Sequence, residues 1–120
     1  DVLEGLFADE AVLSIPNWNI EVRGREAVMA FFDDYWARFD HPRRYYANED
    51  ISVRGRNAEA FMYWHVTQMR GEDSVLGWGS YEWTFRHVGE RWLITKEVVH
   101  ILAMTTLERG WAGEHALSSL

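Results

Sequence analysis

The 120-residue sequence contains no cysteine, which excludes a disulfide framework, a thiolate nucleophile and a sulfur-ligated metal site. A cysteine-free chain fits a reducing, cytoplasmic setting, and no N-x-S/T sequon points elsewhere. No apolar run approaches the length of a bilayer span. The opening Asp1-Val2-Leu3-Glu4 also lacks the basic start of a secretory signal, so the chain reads as soluble, with no membrane partner. Basic charge is scarce: 12 Lys and Arg against 19 Asp and Glu give a formal net charge of −7, which disfavours nucleic acid as a partner. A glycine-rich phosphate loop and a G-x-S-x-G nucleophile turn are both missing. The five histidines, at 41, 65, 87, 100 and 115, show neither H-x-H nor H-E-x-x-H spacing, so no metal site is expected. Aromatic residues, by contrast, are abundant. Seven Trp, five Tyr and six Phe exceed what a small core needs, and some are expected to line a small-molecule cavity.

The length sets one domain, residues 1–120. Val2, Leu3, Leu6 and Phe7 fall at helical spacing from the first residue, without a cap, which suggests a truncated N-terminal helix. A corner at Ala8-Asp9-Glu10 and a short strand Ala11 to Ile15 follow, stopped by Pro16-Asn17. From Arg25 to Phe39 the apolar residues Val28, Phe31, Phe32, Tyr35, Trp36 and Phe39 recur every three or four positions, the stripe of an amphipathic helix. Asp34 and Arg38 form a favourable pair on its opposite side, and His41-Pro42 closes it. With Trp36 against the sheet, its truncation to alanine is expected to cost about 3–5 kcal/mol. Four strands follow, near 44–54, 58–70, 76–87 and 91–103, with a tail after about residue 104. Turn signals rather than helices separate them: Gly55-Arg56-Asn57, Arg70-Gly71-Glu72-Asp73 and Val88-Gly89-Glu90. This order predicts an antiparallel meander and an α+β class. Gly77-Trp78-Gly79, inside a strand, marks a bulge or sharp bend.

Several stretches, taken in order, carry a resemblance. They are Leu6-Phe7-Ala8-Asp9-Glu10-Ala11-Val12-Leu13, then Arg23-Gly24-Arg25-Glu26-Ala27-Val28 leading to Phe31-Phe32, and Asn48 with Ile51 and Val53. Gly79-Ser80-Tyr81-Glu82-Trp83-Thr84-Phe85 and Gly89-Glu90-Arg91-Trp92-Leu93-Ile94 complete the set. The chain resembles the nuclear-transport-factor-2-like superfamily, specifically its SnoaL-like and ketosteroid-isomerase-like members. The resemblance implies a cone: a strongly curved antiparallel sheet wrapped around N-terminal helices, with a central apolar pocket and a homodimer formed through the sheet. It also implies a cofactor-independent acid–base enzyme, an isomerase, dehydratase or cyclase acting on a largely apolar ring compound. The same cone hosts non-catalytic ligand-binding and dimerisation modules, the alternative reading.

In the isomerase-like relatives a carboxylate after the first strand removes a proton next to a carbonyl. That position matches Asn17 here, which cannot serve as a base, and the next carboxylate is Glu21, either an alternative base or a solvated loop residue near the helix N-terminus. Tyr81 matches a position where those relatives keep an acidic hydrogen-bond donor, so it is a candidate to hold an oxyanion, or else a core aromatic. The strand 58–70 has two apolar faces, one carrying Phe61, Tyr63, His65 and Thr67, the other Ala60, Met62, Trp64, Val66 and Gln68. Family register places the first on the pocket side and makes His65 the candidate proton carrier, against a structural role as a hydrogen-bonded histidine. The second face, with Trp64, is then a dimer contact or lies under a covering helix. On the last strand, Trp92, Ile94, Lys96, Val98 and His100 oppose Leu93, Thr95, Glu97, Val99 and Ile101. Either set can face the pocket, and the Trp92 set is favoured. Tyr46, Asn48 and Asp50 share a strand face, Asn48 as turn or ladder support. The expected pocket lining is Trp18, Phe32, Tyr35, Trp36, Tyr46, Phe61, Tyr63, Trp83 and His100.

Overall fold

The computed structural model describes residues 2–112. A single 3-10 turn, Glu4–Leu6, leads into β1 (Phe7–Ile15), and β2 (Ile20–Arg23) and α1 (Arg25–Trp36) follow. Then come the four long strands β3 (Asp40–Arg54), β4 (Asn57–Arg70), β5 (Asp73–Val88) and β6 (Arg91–Thr106). They form one curved, unclosed sheet in the order β2-β1-β6-β5-β4-β3, with α1 packed against β1 and β2. Every neighbouring pair is antiparallel except β1 and β6. The fold is α+β, as the order of helix and turn signals predicts.

The helix forms because its stripe can be buried. Val28 is fully buried against Phe7, Ala11, Leu13 and Ile94, a cluster that Phe31 and Phe32 extend. Burying each large apolar side chain of this kind contributes about 1.5–3 kcal/mol before entropy. Asp34 accepts a 2.8 Å ion pair from Arg38. Trp36 departs from expectation: it is 42% exposed and stacks on Phe32, ring centres 5.6 Å apart, at the end of the helix rather than beneath it. The helix stops at Trp36, and Phe39, buried, belongs to the turn into β3.

Several local expectations are corrected. Leu3 and Leu6 sit in and beside a single 3-10 turn instead of an α-helix, and Ala8-Asp9-Glu10 lies within β1. The corner survives as an irregularity, for β1 pairs Phe7 with Ile94 and next Val12 with Lys96. The stretch before the helix, expected to be a loop, contains β2, whose four residues are too few for a periodic signal. The turn into it uses Asn19 at φ 54°, and Asn17 clamps the far strand: its amide donates to Ile101 O at 2.9 Å and accepts from Ile101 N at 2.8 Å. The last strand runs to Thr106, a few residues past the expected strand end near 103, and the residues from Gly113 lie outside the described residues.

Bulges bend the sheet and decide which side chains point inward. Between β5 and β6, Thr84 pairs with Lys96 and Phe85 with Ile94, leaving Thr95 extra; Trp78 pairs with Ala103 and Gly79 with Ile101, leaving Leu102 extra. Each extra residue exchanges the two faces of β6. Gly79 sits at the second bulge, where a Cβ would lie 1.9 Å from His100 O and 2.9 Å from the Trp64 ring. A third shift, around Asn48 at φ 60°, lies between Ala47 and Asp50 on β3, so Tyr46 and Asp50 do not share a face.

Candidate functional site

The concave side of the sheet, α1 and the N-terminal turn line a half-open cavity of about 250 Å³. From α1, Phe31, Phe32, Tyr35 and Trp36 enter it at the helical spacing read from the sequence. Trp18 from the turn before β2 and Leu13 and Ile15 from β1 close one side. Across from them stand Arg44 and Tyr46 on β3, Trp64 and Val66 on β4, Tyr81 and Trp83 on β5, and Ile94, Glu97, Val99 and Ile101 on β6. Alternation explains most of these placements: Tyr46 pairs with Trp64 and Arg44 with Val66, so each pair shares the inner face. The switch of β6 at Thr95 explains the rest, since Ile94 and then Glu97 line the same cavity.

The polar equipment is sparse. Glu97 is 5% exposed, its Oε2 has no hydrogen-bond partner among the described residues, and burial pushes its carboxyl up to about 7 against the opposing charge of Arg44. Trp83, directly paired with Glu97, likewise has its buried Nε1 without a partner. The Tyr81 ring touches those of Trp83, Tyr46 and Trp64 at centre distances of 5.2, 6.0 and 6.0 Å. Burial, then the neighbouring Tyr46, Glu97 and Tyr35, push the Tyr81 phenol well above its usual range while Arg44 opposes them, so it remains a neutral donor. The Tyr35 hydroxyl is engaged by Gln68 Nε2 at 3.0 Å. A carboxyl that exchanges its proton near neutral pH, a phenolic donor and one guanidinium can together transfer a proton and hold an oxygen. Among the described residues, no three His, Asp or Glu converge as metal ligands.

Of the residues singled out in the sequence, Tyr81, Trp18, Phe32, Tyr35, Trp36, Tyr46 and Trp83 meet at this cavity. The face of β4 is corrected. Ala58, Ala60, Trp64, Val66 and Gln68 are buried inward, and Phe61, Tyr63 and His65 point to the outer side. His65 lies there parallel to the ring of its cross-strand partner Trp78, 6.2 Å away, and Phe61 packs edge-on to Tyr63. The favoured face of β6 is corrected too. His100 is on the outer surface, its Nε2 2.6 Å from Glu82, because the bulge at Thr95 turned Lys96, Val98 and His100 outward. Glu21 is an exposed residue of β2, paired with Arg23 at 3.1 Å. Arg44 was missed altogether. One of two adjacent arginines in the polar run Asp40 to Arg44, it carries no sequence signal until its pairing with Val66 is known.

This architecture defines a cone-shaped protein of the nuclear-transport-factor-2-like fold. The sequence pattern of the SnoaL-like domain matches residues 1–97, and the chain belongs to that family. Solved structures share the fold. A hexachlorocyclohexane dehydrochlorinase, LinA type 2, superposes with a TM-score of 0.79 at 18% identity, covering 96% of this chain and 77% of that one. A candidate scytalone dehydratase from Novosphingobium aromaticivorans DSM 12444 gives 0.78 at 18% identity, covering 96% and 76%. The LinA type 3 enzyme from Novosphingobium barchaimii LL02 gives 0.76 at 18% identity, covering 96% and 78%. No curated protein matches the chain in sequence. No helix of the described residues is long and apolar enough to cross a membrane.

Proposed function

We propose that the chain is a cofactor-independent acid–base enzyme that isomerises, dehydrates or cyclises a largely apolar ring compound held in the cavity. The observation that carries this reading is Glu97, a solitary buried carboxyl with one unpartnered oxygen, facing an aromatic cavity and poised to exchange its proton at about 7. Glu97 takes the place that the sequence suggested for His65 and Glu21, both of which lie away from the cavity. Tyr81 donates to the oxygen on which charge develops. Structural neighbours named as a dehydrochlorinase and a candidate dehydratase support a cavity of this chemical type.

The test uses a neutral ring ketone, 2-tetralone, in D2O at pH 8, with exchange of its α-protons followed by NMR. Glu97→Gln is expected to slow protein-dependent exchange about a hundred- to ten-thousandfold. Tyr81→Phe is expected to slow it less, and His65→Ala to leave it unchanged. Exchange unaffected by Glu97→Gln would refute the assignment. Ketone binding without any exchange would leave the cavity as a ligand-binding module. The proposal includes a cytoplasmic location and a homodimer formed through the outer face of the sheet, where Tyr45, Tyr63 and Leu102 are exposed beside Trp78 and His65. Trp64, expected to lie on the dimer face, is inside. Sedimentation at micromolar concentration should give twice the 14.1 kDa of the monomer, and a single monomeric species would remove the dimer.

A further inference from the structure

Arg44 is the one cation among the residues that line the cavity, and nothing described in the chain neutralises it at contact distance. Five other arginines are matched to carboxylates, Arg23 to Glu21, Arg25 to Asp9, Arg38 to Asp34, Arg70 to Asp73 and Arg86 to Glu10. Arg43, Arg54, Arg56, Arg91 and Arg109 also have no salt bridge among the described residues, but they lie outside the cavity lining. The difference in placement shows within one dipeptide. Arg43, paired with Thr67, is on the outer side and donates to its own neighbour's carbonyl, Pro42 O, at 3.3 Å. Arg44, paired with the buried Val66, turns inward. In a chain with 19 acidic and 12 basic residues, an inward arginine without a salt bridge among the described residues leaves a positive charge inside a largely apolar cavity.

We infer that the cavity takes an organic monoanion, a one- or two-ring compound bearing a single carboxylate that pairs with Arg44 while its rings lie among Phe32, Trp64, Tyr81 and Trp83. This rests on the proposed function only for the identity of the cavity. The volume of about 250 Å³ is just below the roughly 300–1,000 Å³ of sites for drug-sized ligands, which limits the guest to one or two rings. A guanidinium suits a carboxylate because its planar fork can donate two parallel hydrogen bonds. The titratable groups facing this space are Tyr35 from α1, Tyr46 beside Arg44 on β3, Tyr81 from β5 and Glu97 from β6; β1 and β4 contribute only apolar side chains. Glu97 changes charge near neutrality, and once ionised it neutralises Arg44 and repels a second carboxylate. An anion bound at Arg44 therefore favours the protonated Glu97, and with such a substrate this carboxyl begins as a proton donor.

Calorimetric titration with 2-naphthoate and its neutral isostere 2-naphthamide tests the inference. At pH 6 the carboxylate should bind at least tenfold tighter than the amide. Arg44→Gln should abolish that preference without weakening the amide, and Arg44→Lys should retain part of it. Between pH 6 and 8.5 the wild-type protein should lose about tenfold in affinity for naphthoate, and Glu97→Gln should not. Unfolding midpoints of each variant identify any general loss of structure. Equal affinity for the two probes, a preference that survives in folded Arg44→Gln, or no binding of either at millimolar concentration would overturn the inference. Naphthoate binding that follows this pattern, in a protein that fails to exchange tetralone protons, would sink the proton-transfer reading alone.

Discussion

Replacing Glu97 by glutamine should change how stability depends on pH. The wild-type carboxyl is displaced from 4.5 to about 7, chiefly by burial. Between those values the folded protein holds a proton that the unfolded chain has already released, so stability falls as pH rises and levels off above about 7. At 1.36 kcal/mol per pH unit the full displacement corresponds to roughly 3 kcal/mol, a sizeable share of the about 5–15 kcal/mol that holds a typical domain folded. Glutamine has nearly the same shape and cannot ionise. The difference in unfolding free energy, Glu97→Gln minus wild type, should be near zero at pH 4.5 and rise to roughly 3 kcal/mol in favour of the variant at pH 8. Groups common to both proteins cancel in that difference. Glu10, for example, is held below its usual range by its hydrogen bond from Arg86, and its contribution to stability is lost only as pH falls through that lowered range. Urea unfolding followed by circular dichroism at half-unit steps from pH 4.5 to 8.5 measures the difference directly. Two curves that run parallel across this window, or a variant less stable than wild type at pH 8, would refute the buried-carboxyl argument.

Three further outcomes follow from the packing. Trp36→Ala, at a half-exposed residue stacked on Phe32, should cost only about 1–2 kcal/mol, whereas Phe7→Ala, at a residue 1% exposed, should cost about 3–5 kcal/mol; urea midpoints of the two variants compare them. Gly79→Ala drives a methyl group into His100 O and the Trp64 ring, so the variant should lose several kcal/mol or fail to accumulate as soluble protein; an unchanged melting temperature would contradict the bulge geometry. Asn17→Ala removes both hydrogen bonds to Ile101 and should cost about 1–3 kcal/mol, with faster amide hydrogen exchange at Ile101 as its local signature.

Much of this architecture can be read from local chemistry. The stripe from Val28 to Trp36 has the period of a helix, and Gly55, Gly71 and Gly89 mark the three hairpin turns at φ 62, 61 and 62°. The helix-facing half of the cavity was legible for the same reason: a helix has one apolar stripe, and Phe32 and Tyr35 have nowhere else to point. The sheet-facing half was not, because β4 and β6 are apolar on both sides and period-two alternation names two faces without saying which is inside. Asn17 was recognised as unfit to be a base, but its work as a clamp on Ile101 requires knowing that two segments 84 residues apart meet.

The sequence alone determined the class of fold, the order of its elements and the aromatic character of what they enclose, because propensity, periodicity and turn chemistry act over a few neighbouring residues. Only the tertiary structure decided which groups enter the cavity. One extra residue at Thr95 sends His100 outward while Glu97 lines the cavity, and the pairing of β3 with β4 turns Arg44 in and leaves His65 on the outside. A bulge shifts strand register by one residue, and in a strand one residue is the whole difference between the two faces.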